Sequence, residues 1–568
     1  MKVIRSRITH QMSPKRHHLI YTGLLAGIPL LFLAAFFFWP LANILRLSVT
    51  AVGVEVVLVR PYFRQTLWFT LWQAVLSTGL TLLMGLPAAY LFARYTFPGR
   101  SLLRALTTVP FVMPTVVVAA AFRALLGSQG LLNQELMLLF DLARPPLRLD
   151  QTIWIILLAH VFYNTAIVVR LVGGFWAHLN PRLNEAARTM GASRWRAFRE
   201  VTLPLLRPSL LSASLLIFLF TFTSFGVILL LGGPMFGTLE TEIYRQYVNF
   251  LRPDIAAVLA LFQIVFTFVV MMVYTRWQQN TAVSLDMRAE KANLKRPTTW
   301  PEKIAVATIM GGLCLFLVTP LLALVWQSLV DRDGNLTLAY YQALSEARRG
   351  SVVFIPPLTA VRNSIGYALL TVLLAGSLGL MTTVALANPT AVGVARWRAW
   401  ADPLFMLPLG ASAVTLGFGY VVTYSSLRTS AALVLIAHTL VALPFVMRSL
   451  LPVMQSIQPG LREAAAVMGA TPGRVWREVD LPIIGRALLV ASVFAFTVSM
   501  GEFGATSFII RPNSGFLTMP IAIARFLSTP GGALNFGQAM AMSVILMAVS
   551  AAGFIAIERF RYADIGEF

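Results

Sequence analysis

Twelve stretches of this chain run for about 20 residues with almost no charge, and any fold must accommodate them. An α-helix rises about 1.5 Å per residue, so about 20 residues cover the roughly 30 Å of a bilayer's hydrocarbon. The stretches fall at 19–39, 66–93, 105–126, 151–173, 208–231 and 255–275, then at 304–329, 362–387, 402–424, 430–452, 487–510 and 537–557. Composition points the same way. The chain is 57% hydrophobic and 12% charged, whereas a water-soluble domain carries about 25% charged residues. A surface so poor in charge faces something other than water, and lipid is the simplest medium. The sequence therefore predicts an all-α polytopic membrane protein. Pro and Gly within "GLPAAYLFA" and "VPFVMPTVVVAAAF" are compatible with this, because neighbouring helices in a bundle satisfy freed backbone groups.

The net charge of +22 raises the possibility of nucleic-acid binding. That would need a basic stripe on a soluble domain. Here the cations sit in short loops between apolar runs, the bias that orients membrane proteins. One set of loops carries Arg94, Arg100 and Arg104, then Arg182, Arg188, Arg194, Arg196, Arg199 and Arg207. It continues with Arg288, Lys291, Lys295 and Arg296, then Arg396 and Arg398, and then Arg462, Arg474, Arg477 and Arg486. The alternate loops, such as "LETEIYRQYVNFLRPD" and "DGNLTLAYYQALSEARR", are more balanced and read as loops of the opposite face. The amino terminus and the Arg-rich loops are expected to be cytoplasmic. Lys2, Arg5, Arg7, Lys15 and Arg16 precede the first stretch, which is long for a signal peptide and lacks an A-x-A site, so an uncleaved span is expected. The single cysteine, Cys314 in "GGLCLFLV", has no disulfide partner and reads as a small buried hydrophobe.

The second constraint is a repeat. "EAARTMGASRWRAFREVTLP" (185–204) returns as "EAAAVMGATPGRVWREVDLP" (463–482), 278 residues later, with twelve of the twenty positions identical. At the same offset Ala159-His160 faces Ala437-His438, Arg170 faces Arg448, Pro181 faces Pro459, Phe225-Gly226 faces Phe503-Gly504 and Ile243 faces Ile521. Chance likeness between apolar helices would give scattered Leu and Val matches, not a charged match in register. The chain is therefore expected to comprise a first half, 1–275, a charged linker, 276–303, and a second half, 304–568. Six spans per half put both repeated loops on one face, with the halves related by a pseudo-two-fold axis along the membrane normal and a pathway between them.

Each repeated loop, 180–204 and 458–482, reads as a helix-turn-helix elbow. Asn180 can cap a helix and Pro181 suits its first turn. Glu185 complements the positive helix end, and Gly191 provides a left-handed stop. "SRWRAFREV" forms a second short helix before Leu203-Pro204. Gln458-Pro459, Glu463, Gly469 and Leu481-Pro482 take the same places in the second copy. An amphipathic helix resting on lipid headgroups would need charge and apolar surface, but not the same Glu-Ala-Ala and Gly spacing twice. Two copies imply two similar surfaces to be met.

The pattern Glu-Ala-Ala, three residues, Gly, nine residues, Val, one residue, Leu-Pro resembles the EAA loop of bacterial ABC importer permeases. Both copies fit: Glu185, Ala186, Ala187, Gly191, Val201, Leu203 and Pro204, and Glu463, Ala464, Ala465, Gly469, Val479, Leu481 and Pro482. The resemblance implies the type I importer permease fold. It implies a bacterial or archaeal inner-membrane location with both termini cytoplasmic, two copies of a separate ATP-binding subunit that hold ATP and Mg, and an extracytoplasmic solute-binding protein. This chain then binds no cofactor and no metal, is not an enzyme and does not bind nucleic acid. It has no G-x-x-x-x-G-K-[S/T] loop with which to cradle ATP phosphates. In such an assembly Glu185 and Glu463 meet basic groups of the ATPase, and Trp195, Phe198, Val475 and Trp476 supply apolar knobs.

The fused two-half arrangement resembles the thiamine and ferric-iron permeases. "LLAHVFYN", "SFGVILLLGG" and "TLETEIYRQ" look more like the thiamine type, while the iron type carries Asp-Phe-Gly-Thr where this chain has Ser224-Phe225-Gly226-Val227. The small-molecule cargo is therefore expected to be thiamine, with ferric iron as the alternative. Polar residues at membrane depth are the pathway candidates: His160, Asn164, Thr223, Ser224, Gln263, His438 and Glu502. The repeat-related histidines also suit interhelical hydrogen bonding. Glu502 stands where the first half has Ser224, so it breaks the symmetry and is the stronger candidate for a cargo contact. An ion-coupled secondary transporter would need more intramembrane carboxylates, and a metalloenzyme would need ligands beside the histidines.

Overall fold

Proline sets the start of many of the helices. Pro61, Pro301, Pro459, Pro472 and Pro482 each occupy one of the first two positions of a helix, where a missing N–H costs nothing. The computed structural model describes residues 25–49, 51–280, 293–331, 333–347, 353, 355–387, 394–428, 430–510, 515–529 and 532–562. The basic stretch before the first span, most of the linker with Arg288 and Lys291, and the last six residues lie outside these. Among the described residues the chain has helices but no strands, only two isolated bridges. Eleven helices are long and apolar enough to cross a membrane, twelve when one bent pair is counted as a span.

In the first half these are α1 (Leu25–Ser48), α2 (Pro61–Arg94), a span beginning at Thr115 whose first helix is α3 (Thr115–Leu126), α4 (Ile153–His178), α5 (Arg194–Phe222) and α6 (Pro253–Arg276). In the second half they are α7 (Trp300–Leu329), α8 (Pro357–Ala387), the bent pair α9 (Asp402–Gly410) and α10 (Ala413–Thr423), α11 (Ala431–Ser456), α12 (Pro472–Gly501) and α13 (Gly532–Ala556). The multi-pass, all-α expectation is met.

Four of the expected spans change shape. The stretch 105–126 is two helices, because Met113 is extended and Pro114 starts α3 anew. The stretch 402–424 bends by 96° between α9 and α10, where Ser412 Oγ accepts from the N–H groups of Val414 and Thr415 at 3.1 and 3.3 Å. The stretches 208–231 and 487–510 each begin earlier, inside an elbow, and end at Phe222 and Gly501. Short helices Gly226–Leu231 and Gly504–Ile509 follow those ends. Apolar residues flank each of these breaks closely on both sides, so a hydropathy window about 20 residues wide passes over them.

The halves embrace each other. α1 lies against α10 of the second half, where a Cβ on Gly419 would sit 3.1 Å from both Pro40 and Ile44, and Tyr424 OH donates to Ala35 O at 2.6 Å. Symmetrically, α7 lies against α3, and Gln327 donates to Gln129 O at 3.1 Å. One buried apolar core consequently runs through both halves, with smaller clusters beneath each elbow. Exposed Leu31, Trp68, Leu83, Leu315 and Leu373 form an outer apolar surface suited to lipid. Cys314 is half-buried at the edge of the core rather than enclosed within it.

Candidate functional site: paired elbows and a polar seam

Each elbow joins the fourth and fifth spans of its half, so with six spans per half both lie on one face. The first consists of Arg182–Thr189, a turn, and Arg194–Ala197 running through a π-helical turn at Phe198–Thr202 into the span. The second repeats this with Pro459–Val467, Pro472–Val475 and a π-helical turn at Trp476–Asp480. The turns close on Gly191 at φ +90° and Gly469 at φ +85°, a region that side-chain-bearing residues resist. Asn180 Oδ1 accepts from Arg182 N at 3.1 Å, and Ser193 Oγ caps the second short helix.

The elbows sort their residues by face. Ala187 and Ala465 are buried against the bundle, while Glu185, Ala186, Glu463 and Ala464 are exposed. Leu203 and Pro204 are half-buried, and Leu481 and Pro482 are exposed. Of the expected apolar knobs, Trp195 is exposed, at 69%. Phe198 instead turns inward between Trp195 and Trp176. Its repeat partner Trp476 packs over Met454, Ile457 and Ile484, with Val475 half-buried beside it. The inward turn follows from the π-helical segment, which feeds these side chains toward the span. Sequence reading missed Met190 and Met468, repeat partners that are each 82% exposed at the elbow tips. Their identical register was the available signal.

Beneath the elbows the repeat diverges. Asn184 Nδ2 donates to Thr202 Oγ1 at 2.9 Å in the first. At the same positions of the second, Arg462 Nε donates to Asp480 Oδ1 at 2.7 Å, with the carboxylate nearly buried.

Within the bundle, His160 and His438 bind the ends of the fifth spans to their neighbours. His160 Nδ1 lies 2.9 Å from Ser77 Oγ of α2, and its Nε2 lies 2.9 Å from Ser224 Oγ. His438 Nδ1 lies 2.7 Å from Ser499 Oγ, and Ser499 Oγ donates onward to Thr371 of α8. Its Nε2 faces Thr506 Oγ1 at 3.0 Å and Glu502 Oε2 at 3.4 Å. Asn164 Nδ2 donates to His160 O, and Thr223 Oγ1 to Leu219 O, both at 2.9 Å within their own helices. Glu502 sits at the break after α12 rather than inside a span. Its oxygens accept from the N–H groups of Ala505 and Thr506 at 2.7 and 3.0 Å, so the carboxylate caps the helix that follows. Directly after Ser224 and Glu502, Phe225 and Phe503 stack across the two halves with ring centres 5.3 Å apart.

The segment "LETEIYRQYVNFLRPD" corrects an expectation. Its balanced charge reads as a loop of the outer face, but Leu239–Tyr244 is helical and Glu240 and Glu242 are both fully buried. Thr238 and Thr241 form a capping box there, and that Thr-x-x-Thr spacing was a usable signal for a helix start. Leu239 N donates to Thr70 Oγ1 at 3.0 Å, about 13 Å along α2 from its outer end at 1.5 Å per residue.

On the face opposite the elbows, a cleft of about 600 Å³ opens between the halves. Arg123, Ser128, Arg148, Asp150 and Gln151 line one side and Leu527 the other. Arg123 crosses it to donate to Leu527 O at 2.7 Å.

Two repeat-related elbows thus lie on one face of a multi-pass helical bundle, each running into a fifth span that ends at the seam between the halves. Residues 82–282 match the family described as "Binding-protein-dependent transport system inner membrane component". The chain is 26% identical over 481 residues to a Sinorhizobium fredii protein named as a probable ABC transporter permease, y4fN, covering 81% of each. It is 25% identical over 506 residues to the thiamine transport system permease ThiP of Brucella abortus, covering 85% of each. A Salmonella typhimurium protein named for 2-aminoethylphosphonate transport, PhnU, is 29% identical over 265 residues, covering 45% of this chain and 92% of that one. The chain is thus similar, through residues 82–282 and in alignments that span both halves, to the family of binding-protein-dependent ABC permeases. In this family the permease is the transport subunit, and ATP hydrolysis belongs to a separate subunit.

Proposed function

We propose that this permease imports thiamine or a closely related aromatic cation. The solute is handed over by an extracytoplasmic binding protein, and the chain is driven by two copies of an ATP-binding subunit seated on the elbows. The elbow face is cytoplasmic in this reading, as are both termini, because the elbows carry the Arg-rich loops. Residues 1–275 and 304–568 act as two opposed bodies linked by 276–303. The chain itself holds neither ATP nor Mg.

The observation that carries the drive mechanism is the elbow pair. Glu185 and Glu463 are exposed at the same place on two repeat-related elbows, next to exposed Met190 and Met468. An acidic group beside an apolar one suits a protein groove that offers a basic residue better than an anionic headgroup layer, which attracts Lys and Arg. An ATPase dimer closing on nucleotide would pull both elbows together. Each elbow runs into a fifth span through its π-helical turn, so the pull reaches the breaks at Phe222 and Gly501 and the Phe225–Phe503 stack. The cleft on the opposite face is where the binding protein presents its solute. For the cargo, support comes from the match to the Brucella thiamine permease across both halves.

A second reading has its own support, the match to the protein named for 2-aminoethylphosphonate transport, which covers half of this chain. Thermal shift of the cognate binding protein separates the two. Thiamine should raise its melting temperature and 2-aminoethylphosphonate should leave it unchanged. The reverse result would replace the thiamine reading.

A further inference from the structure

Glu240 is the one buried carboxylate that reaches from the first half into the second with no charged partner among the described residues. Its exposure is 0%. Ser412 Oγ, at the bend between α9 and α10, donates to Oε2 at 2.7 Å, and Gln263 Nε2 of α6 donates to Oε1. Both donors are neutral. Glu242, two residues on, points back into its own half, where Tyr62 OH donates at 2.8 Å and Arg245 Nη1 stands 3.6 Å away. Glu242 thus has a cation and Glu240 has none. An ionised group in a low-dielectric setting without a counter-charge is costly, and an intramembrane carboxylate is by default a functional suspect.

Its depth and surroundings narrow the role. Gln263 is ten residues along α6 from Pro253, about 15 Å at 1.5 Å per residue, which is roughly mid-bilayer. Two further buried acceptors nearby, Gln263 Oε1 and Thr415 Oγ1, have no protein partner. Tyr244 lies one turn beyond Glu240 on the same face of its helix. Its ring meets Phe225 of its own half at 5.5 Å and Phe508 of the other at 5.4 Å. The Phe225–Phe503 stack completes an aromatic wall along the seam.

We infer that Glu240 and the Tyr244–Phe225–Phe503–Phe508 wall form a receptive site for a flat organic cation when the halves part. Parting breaks the Ser412 hydrogen bond and turns the carboxylate toward the opening. The cation then replaces the missing counter-charge, and its ring lies against aromatic faces whose quadrupoles favour positive charge. Anions meet an uncompensated negative charge at the same depth. This deepens the thiamine reading and rests on the cargo being a cation.

The test reconstitutes the full complex of permease, ATP-binding subunits and binding protein in liposomes and follows uptake of labelled thiamine. Glu240→Gln keeps the shape of the side chain and removes the charge. It should lower uptake at least tenfold while complex yield and melting temperature stay near wild type, because the closed seam holds no counter-charge that depends on the carboxylate. Glu240→Asp should recover part of the uptake. Wild-type uptake by Glu240→Gln overturns the inference and leaves the thiamine reading standing. Loss of uptake together with loss of complex yield, unrepaired by Glu240→Asp, makes Glu240 a structural latch and also overturns it. If the wild type ignores thiamine but imports another organic cation, with the same loss in Glu240→Gln, the thiamine reading falls and the inference holds. If the wild type imports 2-aminoethylphosphonate, both fall.

Discussion

The two halves share one backbone plan and differ in what fills it. At the fifth-span break, the first half places Ser224 against His160 and the second places Glu502 against His438. Under the elbow, the first half uses Asn184 and Thr202 where the second uses Arg462 and Asp480. In both comparisons the second half places an acidic side chain where the first half has a hydroxyl. The glycine turns, by contrast, are alike, at φ +90° and +85°. The two halves therefore share the backbone geometry of the elbows and differ in the chemistry of the fastenings beneath and beyond them.

The largest effect should come from breaking what the halves share. Replacing Gly191 and Gly469 together with Ile forces β-branched residues into a left-handed turn. Each such strain costs on the order of 1–3 kcal/mol. No atom lies within 4 Å of a Cβ built at either glycine, so any defect is conformational rather than a clash. Uptake should fall at least tenfold, and the ATP-binding subunit should co-purify poorly. Normal uptake with normal complex yield would remove the elbow from the mechanism.

These elbows were legible in the sequence, and the reason is physical. A surface loop that must meet a partner cannot trade Glu, Ala-Ala and Gly for apolar residues, so its pattern stands out against the membrane spans. The span interiors were half legible. His160 and His438 could be picked out as polar residues at depth, but their partners Ser77 and Thr506 lie far along the chain or across a break that hydropathy does not register. In the sequence Glu240 reads as part of an outer loop because "LETEIYRQYVNFLRPD" balances its charges. Only the approach of Thr70, Gln263 and Ser412 from distant stretches buries it.

A smaller effect should separate the two breaks. Glu502→Ala removes two hydrogen bonds to the N–H groups of Ala505 and Thr506 as well as the contact with His438, and a hydrogen bond to a charged group is worth about 1.5–3 kcal/mol. Ser224→Ala removes one neutral hydrogen bond, worth about 1 kcal/mol. Melting temperatures of the two variants should therefore differ clearly, with Glu502→Ala the lower. Equal shifts would mean that the His438–Glu502 contact is no stronger than its neutral counterpart.

The smallest effect should appear under the elbows. Arg462→Ala leaves the nearly buried Asp480 without its cation, whereas Asn184→Ala leaves only a neutral hydroxyl oxygen without its donor. Losing a hydrogen bond to a charged group costs about 1.5–3 kcal/mol, against about 1 kcal/mol for a neutral one. Hydrogen exchange at the amides of 463–469 should accelerate more in Arg462→Ala than exchange at 185–191 does in Asn184→Ala. Equal acceleration would erase the asymmetry.

The most direct measurement uses the repeat partners at the elbow tips. In a Cys314→Ser background, Met190→Cys and Met468→Cys each place a thiol where the native side chain is 82% exposed. With the ATP-binding subunit present, both should cross-link to it, and both should react with an impermeant thiol reagent only from the cytoplasmic side. Reaction from opposite sides of the membrane, or the absence of any cross-link at either elbow in a complex that still transports, would contradict the account.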